Sequence, residues 1–200
     1  MVNLLFDKYS YDVVILDPSL KNYINLNDLK YPSTYRRTSQ KDFSKAKINI
    51  VERLENSLMR GGTGGKISGH VIRTKGRLQG KKLKVIHIFE DAFDQIYKKT
   101  KQNPLQIFIQ ALENSAPIED TTRVRYGGII SNIPLDISAS RRLDVSLRNI
   151  SIAAILASFA KKMRIKDGLA NELILASKND STGYAIKRKN EIERMARSAK

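Results

Sequence analysis

Two short arginine-bearing stretches offer the clearest chemistry in this sequence, and it is phosphate chemistry. Between residues 118 and 137 the period is two: Thr122, Val124 and Tyr126 alternate with Arg123 and Arg125, and Ile133, Leu135 and Ile137 alternate with Pro134 and Asp136. Strand geometry puts Arg123 and Arg125 on one face about 7 Å apart, close to one phosphate spacing. Tyr126 can stack on an unpaired base, worth roughly 1–3 kcal/mol, or pack against Ile129 or Ile130; both remain open. Arg141, Arg142 and Arg148 follow on a predicted helix, where Arg141 and Arg148 share a face. A guanidinium forks onto phosphate bidentately, so such a row suits an RNA backbone; a solvated helix face is the plainer alternative. A third basic run holds Arg60, Lys66, Arg73, Lys75, Arg77, Lys81, Lys82 and Lys84, and Lys45, Lys47 and Arg53 precede it. These seventeen side chains, from Lys45 to Arg148, are the candidate RNA contacts.

Catalytic and metal chemistry find no comparable footing. A phosphate-binding loop needs glycine, four residues, then Gly-Lys-Ser/Thr. Here Gly65-Lys66 is followed by Ile67, the first glycine position is Arg60, and the segment follows a helix. His70 sits in a basic loop and His87 in an amphipathic helix, a spacing that gives a metal too few ligands. Glu90-Asp91 and Glu119-Asp120 are adjacent pairs, and neighbours in sequence do not share a face. Cysteine is absent, which excludes disulfides, a thiolate nucleophile and zinc knuckles. No enzyme, metal or cofactor is expected.

The charge balance points the same way. There are 36 Lys and Arg against 20 Asp and Glu, a formal +16. That self-repulsion is best offset by a polyanion, nucleic acid first and an anionic membrane second. The excess is uneven: residues 56–89 carry eight basic side chains and no acidic one, residues 137–166 seven against one, and residues 1–30 three against four. Patches recurring along the chain suggest a folded body touching the polyanion at several places. The longest uncharged run, Asn149 to Ala160, is too short to span a bilayer. The first residues do not form a signal peptide, so a soluble, intracellular protein without a membrane role is expected.

The elements that must position these side chains are mostly helical. Asn49 and Glu52 make a capping box ahead of Val51, Leu54 and Leu58, and Gly61 closes that helix. A basic glycine-rich loop spans 61–82. Val85, Ile88, Phe89, Ala92, Phe93 and Ile96 form a stripe running to about Lys101. Asn103-Pro104 opens a helix with Leu105, Phe108, Ile109 and Leu112 inward, and Pro117 stops it. Residues 118–137 form a β-hairpin turning at Gly127-Gly128, with Pro134 demanding an exposed edge. Ser138 or Ser140 caps a long helix with Leu143, Leu147, Ile150 and Ala154 on one face. Asp167 caps another, with Leu169, Ala170, Leu173 and Ile174 inward. The last runs from about Asp180, with Ala185, Ile192, Met195 and Ala196 inward. The expected fold is mainly α, a bundle of about six helices with one protruding hairpin arm. Residues 1–45 are expected as an extended N-terminal segment and 46–200 as one RNA-binding domain.

The stretch Asn103-Pro104-Leu105-Gln106, then Ala111 to Pro117, Arg125-Tyr126-Gly127-Gly128 and Arg141-Arg142-Leu143, resembles the universal small-subunit ribosomal protein S-seven family (S-five in eukaryotic naming). Asp17 to Leu20 with Tyr23-Ile24, Ile50 to Leu54 and Tyr184 to Lys187 fit its archaeal and eukaryotic branch. The resemblance implies binding to the 3′ major domain of small-subunit rRNA, nucleation of head assembly, and a cytoplasmic place in the small subunit. Neighbouring ribosomal proteins would be partners, with the hairpin near the mRNA exit path and exit-site tRNA. It matches Arg123, Arg125, Tyr126, Arg141 and Arg142 to RNA-facing stretches. Relatives join the first two long helices by a shorter link; here about fifteen residues, Gly65 to Gly80, look inserted. No family role transfers to them, and their charge alone predicts rRNA contact. A nuclease would need the metal or histidine site that is not found. A DNA-binding architectural protein is separated by competition between rRNA and duplex DNA.

Overall fold

A computed structural model describes residues 4–34, 44–62, 64, 71–74 and 76–200. Lys66, His70 and Lys75 lie outside them. In order, the elements are a one-turn α1 (Pro18–Lys21), a 3-10 turn (Ser44–Lys47), α2 (Ile50–Met59), α3 (Lys82–Thr100), α4 (Pro104–Ser115), β1 (Glu119–Tyr126), β2 (Ile129–Asp136), α5 (Ala139–Ser158), α6 (Ile165–Ser177) and α7 (Tyr184–Ser198). Among the described residues, six helices longer than one turn and a single antiparallel hairpin match the mainly α expectation.

Three helices, α1, α2 and α4, start at a side chain that caps them, whereas the expected Ser138 holds the N-cap position of α5 without a capping hydrogen bond from its hydroxyl. Asn49 and Asn103 each accept a hydrogen bond from the N–H two residues on, at 2.9 and 3.0 Å. The capping box at α2 is only half made, because Glu52 turns away. Its carboxylate accepts from the Thr34 N–H and from the Lys82 ammonium. Two later starts differ from expectation. Asp167 lies in the first turn of α6, whose N-cap is Arg164, and its carboxylate accepts from the Gln95 amide at 2.6 Å. Asp180 spends its carboxylate on the Thr182 N–H in an Asx turn, so α7 begins at Tyr184. There the cap comes from another helix: Glu172 of α6 accepts from the Ala185 N–H at 2.7 Å.

α6 lies at the centre, packed on α3, α4 and α5. Gly168 makes the α5 crossing possible, since a Cβ there would meet the Ala157 Cβ at 2.9 Å. Phe93 of α3 gathers the aromatic core, with the rings of Phe6, Tyr9, Phe89 and Phe108 between 6.1 and 6.3 Å away. Two of those partners come from the N-terminal segment. Leu5, Phe6 and Leu20 are buried, and Lys8 and Tyr9 both reach Asp94 of α3. The segment is irregular in path and docked, because its anchors fall at no helical or strand period. On α7, Ile186 is buried, while Ile192 is half-buried and the expected Met195 is 41% exposed beside the hairpin. On α3, Ile88 is half-buried and Ile86 is buried instead.

The hairpin pairs Tyr126 with Ile129 across Gly127 and Gly128, whose φ of 52° and 90° suit a tight primed turn. Counting back from that hydrogen-bonded pair, Thr121 and Pro134 form a non-hydrogen-bonded one, so the proline costs no ladder bond.

Glu55 of α2 is fully buried and neither carboxylate oxygen has a partner. Burial pushes its pKa up to about 8, with Lys82 opposing and Glu52 adding. The folded state therefore keeps a proton that the unfolded chain loses near its ordinary value of 4.5. Stability falls as pH rises between those values, at up to about 1.4 kcal/mol per unit. Glu55→Gln is expected to unfold like the parent at pH 4. At pH 8 it should be more stable by an amount on the order of a few kcal/mol, measured by urea denaturation at both values.

Candidate nucleic-acid interface

Three arginines from three elements line one surface cavity of about 460 Å³: Arg60, Arg73 and Arg148. Arg60 ends α2, and Gly61, at φ 57°, reverses the chain there. The Gly61 carbonyl then holds the returning loop, accepting from the Thr74 hydroxyl at 2.6 Å and the Thr74 N–H at 3.1 Å. A bridge between Gly62 and Arg73 completes the return, so eleven residues of sequence separation close to a neighbour contact. Arg148 arrives from α5, which packs on α2; the Ser57 and Ser151 hydroxyls bond at 3.0 Å beneath the cavity. None of the three guanidiniums is ion-paired among the described residues. Unpaired like charges around one concavity repel each other and concentrate positive potential there, which an anion relieves.

Arg73 also lines a second, larger groove of about 900 Å³ with Arg77, Lys84, Arg164 and Lys166. Its floor is apolar: Ile88, Ile155, Phe159, Met163 and Ile165. Phe159 and Met163 remain 47% and 41% exposed, so this wall can take the face of an unstacked base. Sequence reasoning counted the charge between 137 and 166 but did not single out Arg164 or Lys166. Arg164 ends the irregular turn after α5 and Lys166 lies in the first turn of α6, and only the fold brings them opposite Arg77. Lys166 pairs with Asp91 at 2.9 Å; Lys161 and Lys162 are exposed on the turn before α6.

The other candidate residues divide. Lys45, Lys47, Lys81 and Lys84 are exposed, Lys45 with Asp144 at 3.2 Å. Arg123 and Arg125 are exposed on one face of the arm; the Tyr126 side chain lies outside the described residues. Arg141 lies at the base of the arm, 3.6 Å from Asp120. α7 braces the same base, through Lys200 on Glu119 at 2.8 Å and Glu193 accepting from the Ile118 N–H.

Three candidates face inward. The Arg53 guanidinium donates to the Tyr23 carbonyl at 3.2 Å and pairs with Asp144 at 3.0 Å, its side chain 7% exposed. Lys82 pairs with the buried Glu52. Arg142 donates to the Pro117 carbonyl, the Ser19 hydroxyl and the Asp17 carboxylate. These side chains position elements of the fold and are corrected here from RNA contacts to internal ties. The physical reason is that each cationic head is held against acceptors inside the fold, away from the surface where a phosphate would lie.

No group of three or more His, Asp or Glu side chains converges as a metal site among the described residues, and no described helix is long and apolar enough to cross a membrane. His87 is exposed, 3.8 Å from Glu90. The sequence model of a known family, ribosomal protein S7p/S5e, matches residues 22–200.

Proposed function

From the premise that the chain belongs to the ribosomal protein S7p/S5e family, we propose that it binds the 3′ major domain of small-subunit rRNA and nucleates assembly of the head. Membership itself fixes the coarser role. The protein is a structural, non-enzymatic constituent of the cytoplasmic small ribosomal subunit that binds rRNA and neighbouring ribosomal proteins.

In the proposed arrangement the helical body reads RNA shape and phosphate. The Arg60–Arg73–Arg148 cavity and the adjoining groove receive the backbone. The hairpin, with Arg123 and Arg125, extends toward the mRNA exit path and exit-site tRNA. The observation that carries this reading is the convergence on one cavity of those three arginines, none ion-paired among the described residues, beside a second basic groove that shares Arg73. An arm with Ile129 and Ile130 at 75% and 61% exposure also fits a surface covered in an assembly.

The purified chain is expected to bind a transcript of the 3′ major domain at least about tenfold more tightly than a 5′-domain transcript or duplex DNA of equal length. Filter binding at one salt concentration measures this. Equal affinities would leave only nonspecific charge attraction.

A further inference from the structure

Burial alternates residue by residue between Asp12 and Leu16. Asp12, Val14 and Leu16 are exposed, while Val13 and Ile15 are half-buried against the core. That is the signature of an extended backbone. In such a backbone the N–H and C=O of one residue point to one side and those of the next to the other. The α4 side is occupied. Gln106 imitates a strand partner, its Oε1 accepting from the Val14 N–H at 2.8 Å and its Nε2 donating to the Val14 carbonyl at 3.0 Å. Glu113 accepts from the Leu16 and Asp17 N–H groups at 2.7 and 2.9 Å. The opposite side is open: the N–H and C=O of Val13 and Ile15 meet no hydrogen-bonding partner among the described residues. Val14 and Leu16 meanwhile stand 63% and 72% exposed.

An open edge beside exposed aliphatic side chains is a template for another strand. A phosphate backbone does not fit it, because phosphates offer only acceptors and the edge alternates donors and acceptors. The charge argues likewise. Residues 1–30 hold three basic and four acidic side chains in a chain of net +16, and Asp12 and Glu113 flank the strap. The family match begins at residue 22, so the strap lies outside the matched residues.

We propose that Asp12–Leu16 is a docking edge for an extended, lysine- or arginine-bearing segment of a neighbouring protein in the small subunit, which adds as a strand along Val13 and Ile15 and covers Val14 and Leu16. This rests on the small-subunit role above.

The test places a benzophenone amino acid at Leu16 in the full-length chain. Assembled small subunits are irradiated and the adduct is mapped by mass spectrometry. The expected result is one protein adduct on a basic, non-helical segment. Ile15→Pro removes one open N–H yet suits extended backbone, and is expected to lower its yield about three- to tenfold. Val14→Lys, at an exposed position, is expected to lower it as well by repelling a basic segment. An adduct to rRNA, to a second copy or to residues 35–43 of the same chain overturns the proposal, as does no adduct in subunits that contain the protein. A labelled chain missing from the small-subunit peak overturns the ribosomal role, and this edge with it.

Discussion

Arg142→Met is expected to lower the unfolding free energy by about 3–5 kcal/mol, while Arg141→Met next to it changes stability by no more than about 0.5 kcal/mol. Arg142 is 9% exposed and ties three segments that are distant in sequence: Asp17 and Ser19 in the N-terminal turn, Pro117 in the link to the arm, and its own helix. Methionine fills most of the volume but leaves the Asp17 carboxylate and the Pro117 carbonyl without their donor. Burial pushes the Asp17 carboxyl up, and the Ser19 and Arg142 hydrogen bonds more than offset it, leaving it below its ordinary value of 3.8. A carboxyl held low stabilises the fold above its unfolded pKa and loses that contribution as pH falls through the folded one. The gap between Arg142→Met and the parent should therefore narrow toward pH 3. Urea titrations at pH 7 and pH 3 measure both effects. In rRNA binding below the unfolding range, Arg142→Met is expected to match the parent, which separates an internal tie from a phosphate contact.

The second large effect belongs to the cavity. Replacing Arg60, Arg73 and Arg148 together by alanine is expected to weaken binding to the 3′ major domain transcript on the order of a hundredfold or more at 0.1 M salt. The slope of log affinity against log salt should become shallower by about two to three, one ion release per lost phosphate contact. Stability should change little, because none of the three is ion-paired among the described residues. Replacing Lys45, Lys47 and Lys81 together removes equal charge from outside the two basic cavities, and is expected to cost much less affinity. If both triples behaved alike, net charge and not convergence would set the affinity.

Arg141, Arg142 and Arg148 show where sequence reading stops. The 3.6-residue stripe of Leu143, Leu147, Ile150 and Ala154 was legible and is buried. Arg142 and Arg148 each lie one residue off that stripe, on opposite borders, and the periodicity treats them alike. Arg142 is covered because Asp17 and Pro117 arrive on its side; Arg148 is open because the Gly61 reversal leaves a cavity on the other. Neither fact is local in sequence. The same holds for Arg164 and Arg77, which only packing of the α5–α6 turn against the loop before α3 brings together. Caps, the hairpin turn and the helix faces were legible because each depends on residues within one turn of each other. Glu52 and Asp180 broke the local rules where a competing partner, Lys82 or the Thr182 N–H, was nearer. The N-terminal anchors Leu5, Phe6 and Leu20 went unread because an extended segment docked on helices needs no period of its own.

The central claim is that this chain is a structural part of the small ribosomal subunit held by rRNA. It is tested most directly by sedimenting cell extract through a sucrose gradient at low magnesium, with the full-length chain tagged and the rRNA profile recorded. The chain is expected to migrate with the isolated small-subunit peak, and ribonuclease treatment is expected to release it to the top of the gradient. A chain that stays at the top, or that keeps its position after the rRNA is digested, would contradict it.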